Sequence, residues 1–298
     1  MNLDLLSVIT PEKALHYMNS CEEAFEAEVQ EAVKRIVNRG ARVVTLSGPT
    51  CSGKTTLASR LVDGLSAFDK RAVIISIDDF YLSREEMARL NITDFEGPSA
   101  LDLEYFKRVS SELYNEKAAF IPKYSFVEKK RVELAPFFPQ SDDIYIFEGI
   151  QAVYPEIRSC LKDFDSISLF VCVNDDLTVD RTKFSAEEIR LMRRCVRDYH
   201  HRDTSLKETM YIWENVLKNE VANIFPAVES DTLRIDSLIP YEIFIIGREF
   251  LTLSENYPKD DKFFSVVQGL RKRLYVIMDD NFSVEYVRED SLLRELLQ

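Results

Sequence analysis

The stretch Arg42-Val43-Val44-Thr45-Leu46-Ser47-Gly48-Pro49-Thr50-Cys51-Ser52-Gly53-Lys54-Thr55-Thr56-Leu57-Ala58-Ser59-Arg60-Leu61-Val62 decides the fold. Its centre, Gly48 to Thr55, has the G-x-x-x-x-G-K-[ST] spacing of a phosphate-binding loop. The residues before it are apolar and β-branched, as a buried strand requires. Those after it repeat with a helical period and are expected to stop near Gly64. Strand, glycine loop and helix together give the motif its mechanism. Main-chain N–H groups of the loop turn inward onto phosphate oxygens, and the helix start adds partial positive charge. Lys54 is placed to reach β- and γ-phosphates, and the Thr55 hydroxyl to hold Mg²⁺. Pro49, Thr50, Cys51, Ser52, Gly53 and Thr56 complete the expected cradle. The competing reading, a glycine-rich turn with no ligand, does not explain the flanking strand and helix.

Outward from this unit the chain alternates. A second buried strand, Ala72 to Ile77, ends in Asp78-Asp79, and a third, Asp143 to Phe147, ends in Glu148-Gly149. Ser166 to Val173 reads as a fourth strand and Thr232 to Ile235 as a short fifth. Helical patterns at Ser99 to Asn115 and Ala186 to His201 lie between them. Such alternation predicts an α/β fold of the P-loop NTPase type, a parallel sheet sandwiched by helices. Ligands then collect beyond the carboxyl ends of the strands, where the loop, Asp78 and Glu148 emerge. Residues 120–139, with Pro122, Pro136 and Pro139, read as a β-hairpin inserted beside the sheet.

Residues 1–40 read as a helical N-terminal extension. Thr10-Pro11 caps a first helix, Ser20-Cys21-Glu22-Glu23 offers the start of a second, and Gly40 closes the segment. Phe25, Val29, Val33, Ile36 and Val37 fall on one face. A kinase-sized domain is expected over 41–250, with a lid at about 184–206. Residues 251–298 read as a helical C-terminal extension packed on it, mixed in charge and without evident chemistry.

Composition narrows the class. The 298 residues are 46% hydrophobic, as in a globular protein. Asp and Glu outnumber Lys and Arg, 51 to 38, for a net charge of −13, which opposes a general nucleic-acid binder. Cysteines at 21, 51, 160, 172 and 195 are odd in number and irregular in spacing. That argues against a disulfide framework or zinc site and for a reducing, cytoplasmic setting. The start of the chain carries no basic-then-apolar leader pattern, and no apolar run approaches the ~20 residues of a membrane helix. The best candidate, Ile239 to Leu253, is broken by Glu242, Arg248 and Glu249. Partners are therefore expected to be a nucleotide and a small acceptor, with a homo-oligomer left open.

Asp78, at a strand end beside the loop, is the candidate catalytic base for a hydroxyl acceptor or a metal ligand; capping the next helix is the alternative. Glu148, ending an apolar strand, is the candidate magnesium acid, against a solvated strand end. Arg190, Arg193, Arg194, Arg197 and Arg202 form a basic island, the first four on one helical face. Guanidiniums on that face could close over the triphosphate; a solvated face is the alternative.

Further stretches resemble one family. Ser76-Ile77-Asp78-Asp79-Phe80-Tyr81 is similar to the D-x-F-Y strand end of uridine kinases, and Asp94-Phe95-Glu96-Gly97-Pro98-Ser99-Ala100-Leu101-Asp102 to their N-F-D-x-P-x-A-x-D segment. Pro122-Lys123-Tyr124-Ser125-Phe126 with Arg131 resembles P-x-Y-D-F and its trailing arginine. Ile146-Phe147-Glu148-Gly149-Ile150 resembles x-F-E-G-I, and Arg193-Arg194-Cys195-Val196-Arg197-Asp198 with Arg202 the arginine-rich lid. The chain thus resembles the uridine kinase and phosphoribulokinase family over roughly 40–250. The resemblance implies ATP or GTP as donor with Mg²⁺, and the 5′-hydroxyl of uridine or cytidine as acceptor. It implies Asp78, Lys54 and Arg197 in catalysis, and Arg194 and Arg202 on ATP. Tyr81, Glu96, Tyr124, Phe126, Arg131 and Arg158 are implied at the acceptor.

Three positions depart from the pattern. Lys129 stands where the base-reading histidine is expected, Glu96 where aspartate is, and Arg202-Asp203-Thr204 where the lid usually reads Arg-Gly-Arg. They keep other acceptors in play, such as another nucleoside, pantothenate or a sugar phosphate, and also a nucleotide-binding regulator with weak turnover. A switch GTPase is disfavoured, because Asn174-Asp175-Asp176 lacks the lysine of N-K-x-D.

Overall fold

A computed structural model describes residues 1–4, 10–92, 97–125 and 127–297. The chain enters through a short strand, β1 (Asn2–Leu3), and helix α1 (Pro11–Arg39). Thr10 caps α1 by accepting the Lys13 N–H, and Gly40 ends it in a left-handed turn. The second helix start expected at Ser20 is not used. Cys21, Glu22 and Phe25 continue the buried stripe begun by Ala14 and Met18. The Ser20 hydroxyl satisfies itself on the Tyr17 carbonyl inside one unbroken helix.

The loop joins β2 (Val43–Ser47) to α2 (Lys54–Ser66). Gly64, read as a stop, lies inside α2. Its missing side chain admits α1, since a Cβ there would stand 2.6 Å from Val33 Cγ2. Next comes β3 (Ala72–Ser76), followed by a tight 3₁₀ turn, Ile77–Phe80. β3 was expected to be buried, yet it is the edge of the sheet and leaves Ile74 exposed. Helices α3 (Arg84–Arg89) and α4 (Leu103–Tyr114) lead into the antiparallel hairpin β4 (Ala119–Ser125) and β5 (Lys130–Phe137). Then come β6 (Ile144–Glu148), α5 (Pro155–Cys160) and β7 (Ser166–Cys172). A small sheet that the sequence reading did not anticipate follows, with β8 (Leu177–Val179) between β1 and β9 (Thr182–Phe184). The remaining elements are α6 (Ala186–Arg202), α7 (Leu206–Asn219), β10 (Leu233–Asp236), α8 (Glu242–Leu253), α9 (Phe264–Ile277) and α10 (Arg294–Leu297).

The main sheet is five-stranded and parallel, in the order β10-β7-β2-β6-β3. Strand alternation sorts its side chains onto two faces. Val44, Leu46, Ile144 and Ile146 join a cluster with Val33 of α1, Leu57 and Leu61 of α2 and Phe244 of α8. Val43, Ile75, Tyr145 and Phe147 meet Phe106 and Val109 of α4 and Ile157 of α5 on the other side. Leu292, Leu293 and Leu296 belong to the first cluster, so the chain beyond 251 shares the core of the sheet. Among the described residues, no helix is long and apolar enough to cross a membrane.

Candidate active site

Parallel strands release their loops at one edge. β2 runs into the phosphate loop, β3 into the turn that carries Asp78, and β6 ends on Glu148. Because β6 lies between β2 and β3, Lys54, Asp78 and Glu148 line one cavity together with Gly53, Thr55 and Arg197. A second cavity shares Thr50, Asp78, Ile150 and Arg202 with the first and extends to Tyr81, Gln151 and Arg194. Its far wall includes Glu220 and Ile224, from a π-helical turn (Glu220–Ile224) that follows α7, an irregularity often found at functional sites. Asp78 stands on the partition between the two spaces.

The loop is held in shape by its own lysine. Lys54 Nζ donates to the carbonyls of Gly48 and Pro49, each at 3.1 Å. Cys51 and Gly53 take positive φ angles of 56° and 83°, which turn successive N–H groups inward. Cys51 is buried, and the buried Ser52 hydroxyl has no protein partner. Thr55 is exposed at the mouth, while the Thr56 hydroxyl is taken by Glu295.

The arginines of α6 divide into two sets, so the helical face shared by Arg190, Arg193, Arg194 and Arg197 does not act as one. Arg190 and Arg193 are buried and committed. Arg190 forms a two-pronged pair with Glu220 at 2.7 and 2.8 Å and reaches the Thr50 carbonyl. Arg193, with no exposed surface, pairs with Glu242 at 2.5 and 2.7 Å and donates to the carbonyls of Ser237 and Cys51. These two side chains hold the loop from behind. Arg194, Arg197 and Arg202 gather instead around one buried carboxylate, Asp198, at 3.1, 2.7 and 3.6 Å. Arg194 also donates to the Thr50 hydroxyl at 3.0 Å. Three cations around one anion leave positive charge facing both cavities. Asp203 ends α6 in a left-handed conformation (φ 49°), the geometry for which glycine is favoured and aspartate tolerated.

Burial raises the Asp78 carboxyl above the ordinary range, while Lys54 and a hydrogen bond from Gln151 pull it back. Glu148 is pushed up to about 7, chiefly by burial; Lys54 opposes this, and Asp78, Glu295 and Asp79 add to it. The donor chemistry suits magnesium. A hard carboxylate oxygen whose charge is disfavoured gains from a cation, and Thr55 supplies a hydroxyl beside it. Among the described residues no group of three or more His, Cys, Asp or Glu could hold a metal. A cation here would share its shell with phosphate oxygens and water.

The acceptor candidates are scattered by comparison. Tyr81 accepts a hydrogen bond from Gln151 and lies 5.8 Å, ring centre to ring centre, from Tyr124. Asp79, expected to cap a helix or face solvent, is buried instead. It binds the Tyr124 N–H at 2.9 Å and Lys123 Nζ at 3.2 Å, tying the hairpin to the strand edge. Arg131 is paired with Asp102 at 2.7 Å. Arg158 pairs with Glu229 and lines a separate cavity with Arg39 and Ser166, away from Asp78. Lys129 is exposed in the hairpin turn with φ 56°. Glu96 and Phe126 lie outside the described residues. The sequence reading gave no role to Gln151, Asp198, Glu220, Glu242 or Glu295, although Asp198 and Glu220 stood in stretches that resemble the family.

The family model of the phosphoribulokinase / uridine kinase family matches residues 43–241, more than half of the chain. The chain belongs to that family. Within it, the chain is 30% identical over 255 residues to a uridine kinase of Schizosaccharomyces pombe, a match covering 80% of this chain and 51% of that protein. It is 30% identical over 178 residues to uridine-cytidine kinase B of Dictyostelium discoideum, covering 59% of this chain and 66% of the relative. The chain thus spans only part of the length of these family members. A solved kinase from Silicibacter sp. TM1040, named for a fructose transport system, superposes with a TM-score of 0.50 at 21% identity, over 70% of this chain and 97% of that one. That likeness supports the family's parallel-sheet fold.

Proposed function

We propose that this protein moves the γ-phosphoryl group of ATP or GTP onto the 5′-hydroxyl of uridine or cytidine. The observation that carries the reading is the place of Asp78, on the partition between the cavity of the phosphate loop and the cavity of Tyr81 and Gln151. In this reading the triphosphate lies along the N–H groups of residues 48–55. Lys54 exchanges the Gly48 and Pro49 carbonyls for phosphate oxygens. Thr55 and Glu148 hold Mg²⁺, which supplies charge neutralisation to the phosphates when bound. The nucleoside enters the second cavity, where Tyr81, backed by Tyr124, offers a ring to a base. Asp78 orients the 5′-hydroxyl and takes its proton as the oxygen bonds to the γ-phosphorus and the bond to the β-phosphate breaks. Arg194, Arg197 and Arg202 offset the charge on the transferring group.

The exposed Lys129, in place of a base-reading histidine, favours as second reading an anionic acceptor such as pantothenate or ribulose 5-phosphate. Labelled ATP or GTP offered with uridine, cytidine, other nucleosides, pantothenate and ribulose 5-phosphate separates the two. Labelled uridine or cytidine monophosphate is the expected product. Label appearing only in pantothenate or the sugar phosphate replaces the acceptor assignment. No label transfer from a nucleotide that demonstrably binds leaves a binding protein without turnover.

A further inference from the structure

The chain after α9 returns to the mouth of the phosphate loop. It is anchored on the way. Phe282 stacks on Phe244 with ring centres 4.0 Å apart and planes at 8°. Arg60 of α2 donates to the Asp290 carbonyl at 2.7 Å, and the hydroxyls of Tyr241 and Ser291 are 3.5 Å apart. These contacts lay α10 against the first cavity. Leu292 packs so closely on Gly53 that a Cβ there would stand 2.1 Å from Leu292 Cδ1. Glu295 and Leu296 line the same space as Lys54, Thr55 and Glu148. The Glu295 carboxylate, largely exposed, accepts the Thr56 hydroxyl at 2.5 Å.

Thr56 belongs to the first turn of α2, where N–H groups and the helix dipole favour an anion. In the structure the anion at that hydroxyl is a carboxylate of the protein itself. A phosphate and a carboxylate cannot both take this hydroxyl without placing like charges together in a narrow cleft. The charge of Glu295 also reaches Glu148 and contributes to its raised carboxyl, after burial and Asp78.

We propose that Glu295 is a built-in anion that competes with a nucleoside triphosphate for the Thr56 hydroxyl and leaves it when the triphosphate seats. Segment 289–297 is then a wall of the donor site and a determinant of donor affinity. The proposal rests on the donor-cavity reading above. Leu292 anchors the segment against Gly53, and losing the Thr56–Glu295 hydrogen bond to the ligand loosens its last turn. Truncating the exposed carboxylate removes the competition without opening the core.

The test is calorimetry with Mg-ATP on the full chain, its Glu295→Ala and Glu295→Gln variants, and Lys54→Ala. Hydrogen exchange of the 289–297 amides is followed with and without Mg-ATP. Glu295→Ala is expected to bind about three- to tenfold tighter, the range for one partly exposed charged hydrogen bond, with Glu295→Gln in between. Amides of 292–297 are expected to exchange faster once nucleotide is added. Unchanged or weaker binding by both Glu295 variants overturns the proposal, as does slower exchange of those amides on nucleotide addition. If the unmodified chain binds no nucleotide and Lys54→Ala behaves identically, the donor-cavity reading itself falls and takes this proposal with it.

Discussion

Around the phosphate loop, position is set by main chain and by ion pairs with almost no exposure; around the hairpin, by single side chains reaching across turns. Thr50 and Cys51 are tied by their carbonyls to Arg190 and Arg193, whose partners Glu220 and Glu242 are equally buried. The hairpin is tied down through Asp79, whose partner Lys123 is mostly exposed, and by the partly buried pair Asp102–Arg131. A donor phosphate is the same object whatever the acceptor, so a rigid cradle suits it. Acceptors differ in shape and charge, and the part of the cleft proposed to meet them is held by contacts that one substitution can change.

The largest expected effect tests whether the two regions meet at Asp78. Asp78→Asn should cut turnover by about 10²–10⁴ while Mg-ATP affinity by calorimetry stays within about twofold. A variant that keeps its turnover would move the base elsewhere. Next comes the rigidity of the donor side. Glu242→Gln leaves Arg193 buried without its anion and should cost about 3–5 kcal/mol in denaturant unfolding. A loss near that of a surface pair, about 0–1 kcal/mol, would show that the loop does not hang from this side chain.

A smaller effect follows from pH. The Glu148 carboxyl is raised from 4.5 to about 7 in the folded protein, so the fold holds its proton more tightly than the unfolded chain does. The free protein therefore loses stability as pH rises across that window, and a bound cation restores it. Affinity for magnesium nucleotide should climb about tenfold from about pH 6 to about pH 8 and level off above, because the metal needs the ionised form. Glu148→Gln should flatten both the stability and the affinity profile; a slope that survives the substitution assigns it to another group. The smallest effect sits on the acceptor side. Asp79→Asn weakens the hairpin anchor and should raise the acceptor KM about fivefold, with kcat nearly kept. An equal fall in kcat would place Asp79 in the chemistry.

The donor end was readable because its information is contiguous. Gly48 to Thr55 specify their own backbone path, and Asp78 and Glu148 follow directly from the strands that present them. The split among the α6 arginines was not readable. Helical spacing put Arg190, Arg193, Arg194 and Arg197 on one broad face, whereas burial separated them according to Glu220 and Glu242, which lie 30 and 49 residues further on. Glu295 is 239 residues from Thr56, and nothing local marks it as more than a mixed-charge helix residue. Ile74 reads as core from its apolar neighbours, but strand order leaves β3 with no partner on one side. Tyr124 of the hairpin meets Tyr81 of the turn after β3, while Arg158 is carried to another cavity by α5.

The attachment of the loop carbonyls to Arg190 and Arg193 limits how the cleft can shut. Swinging the early turns of α6 would drag Thr50 and Cys51 along and spoil the nest proposed to grip the triphosphate. Those turns are chassis. A lid of the kind expected over 184–206 would then have to hinge further on, past Asp198 and at the left-handed Asp203, and its travelling part would be short, mostly Arg202 and the bend that follows it.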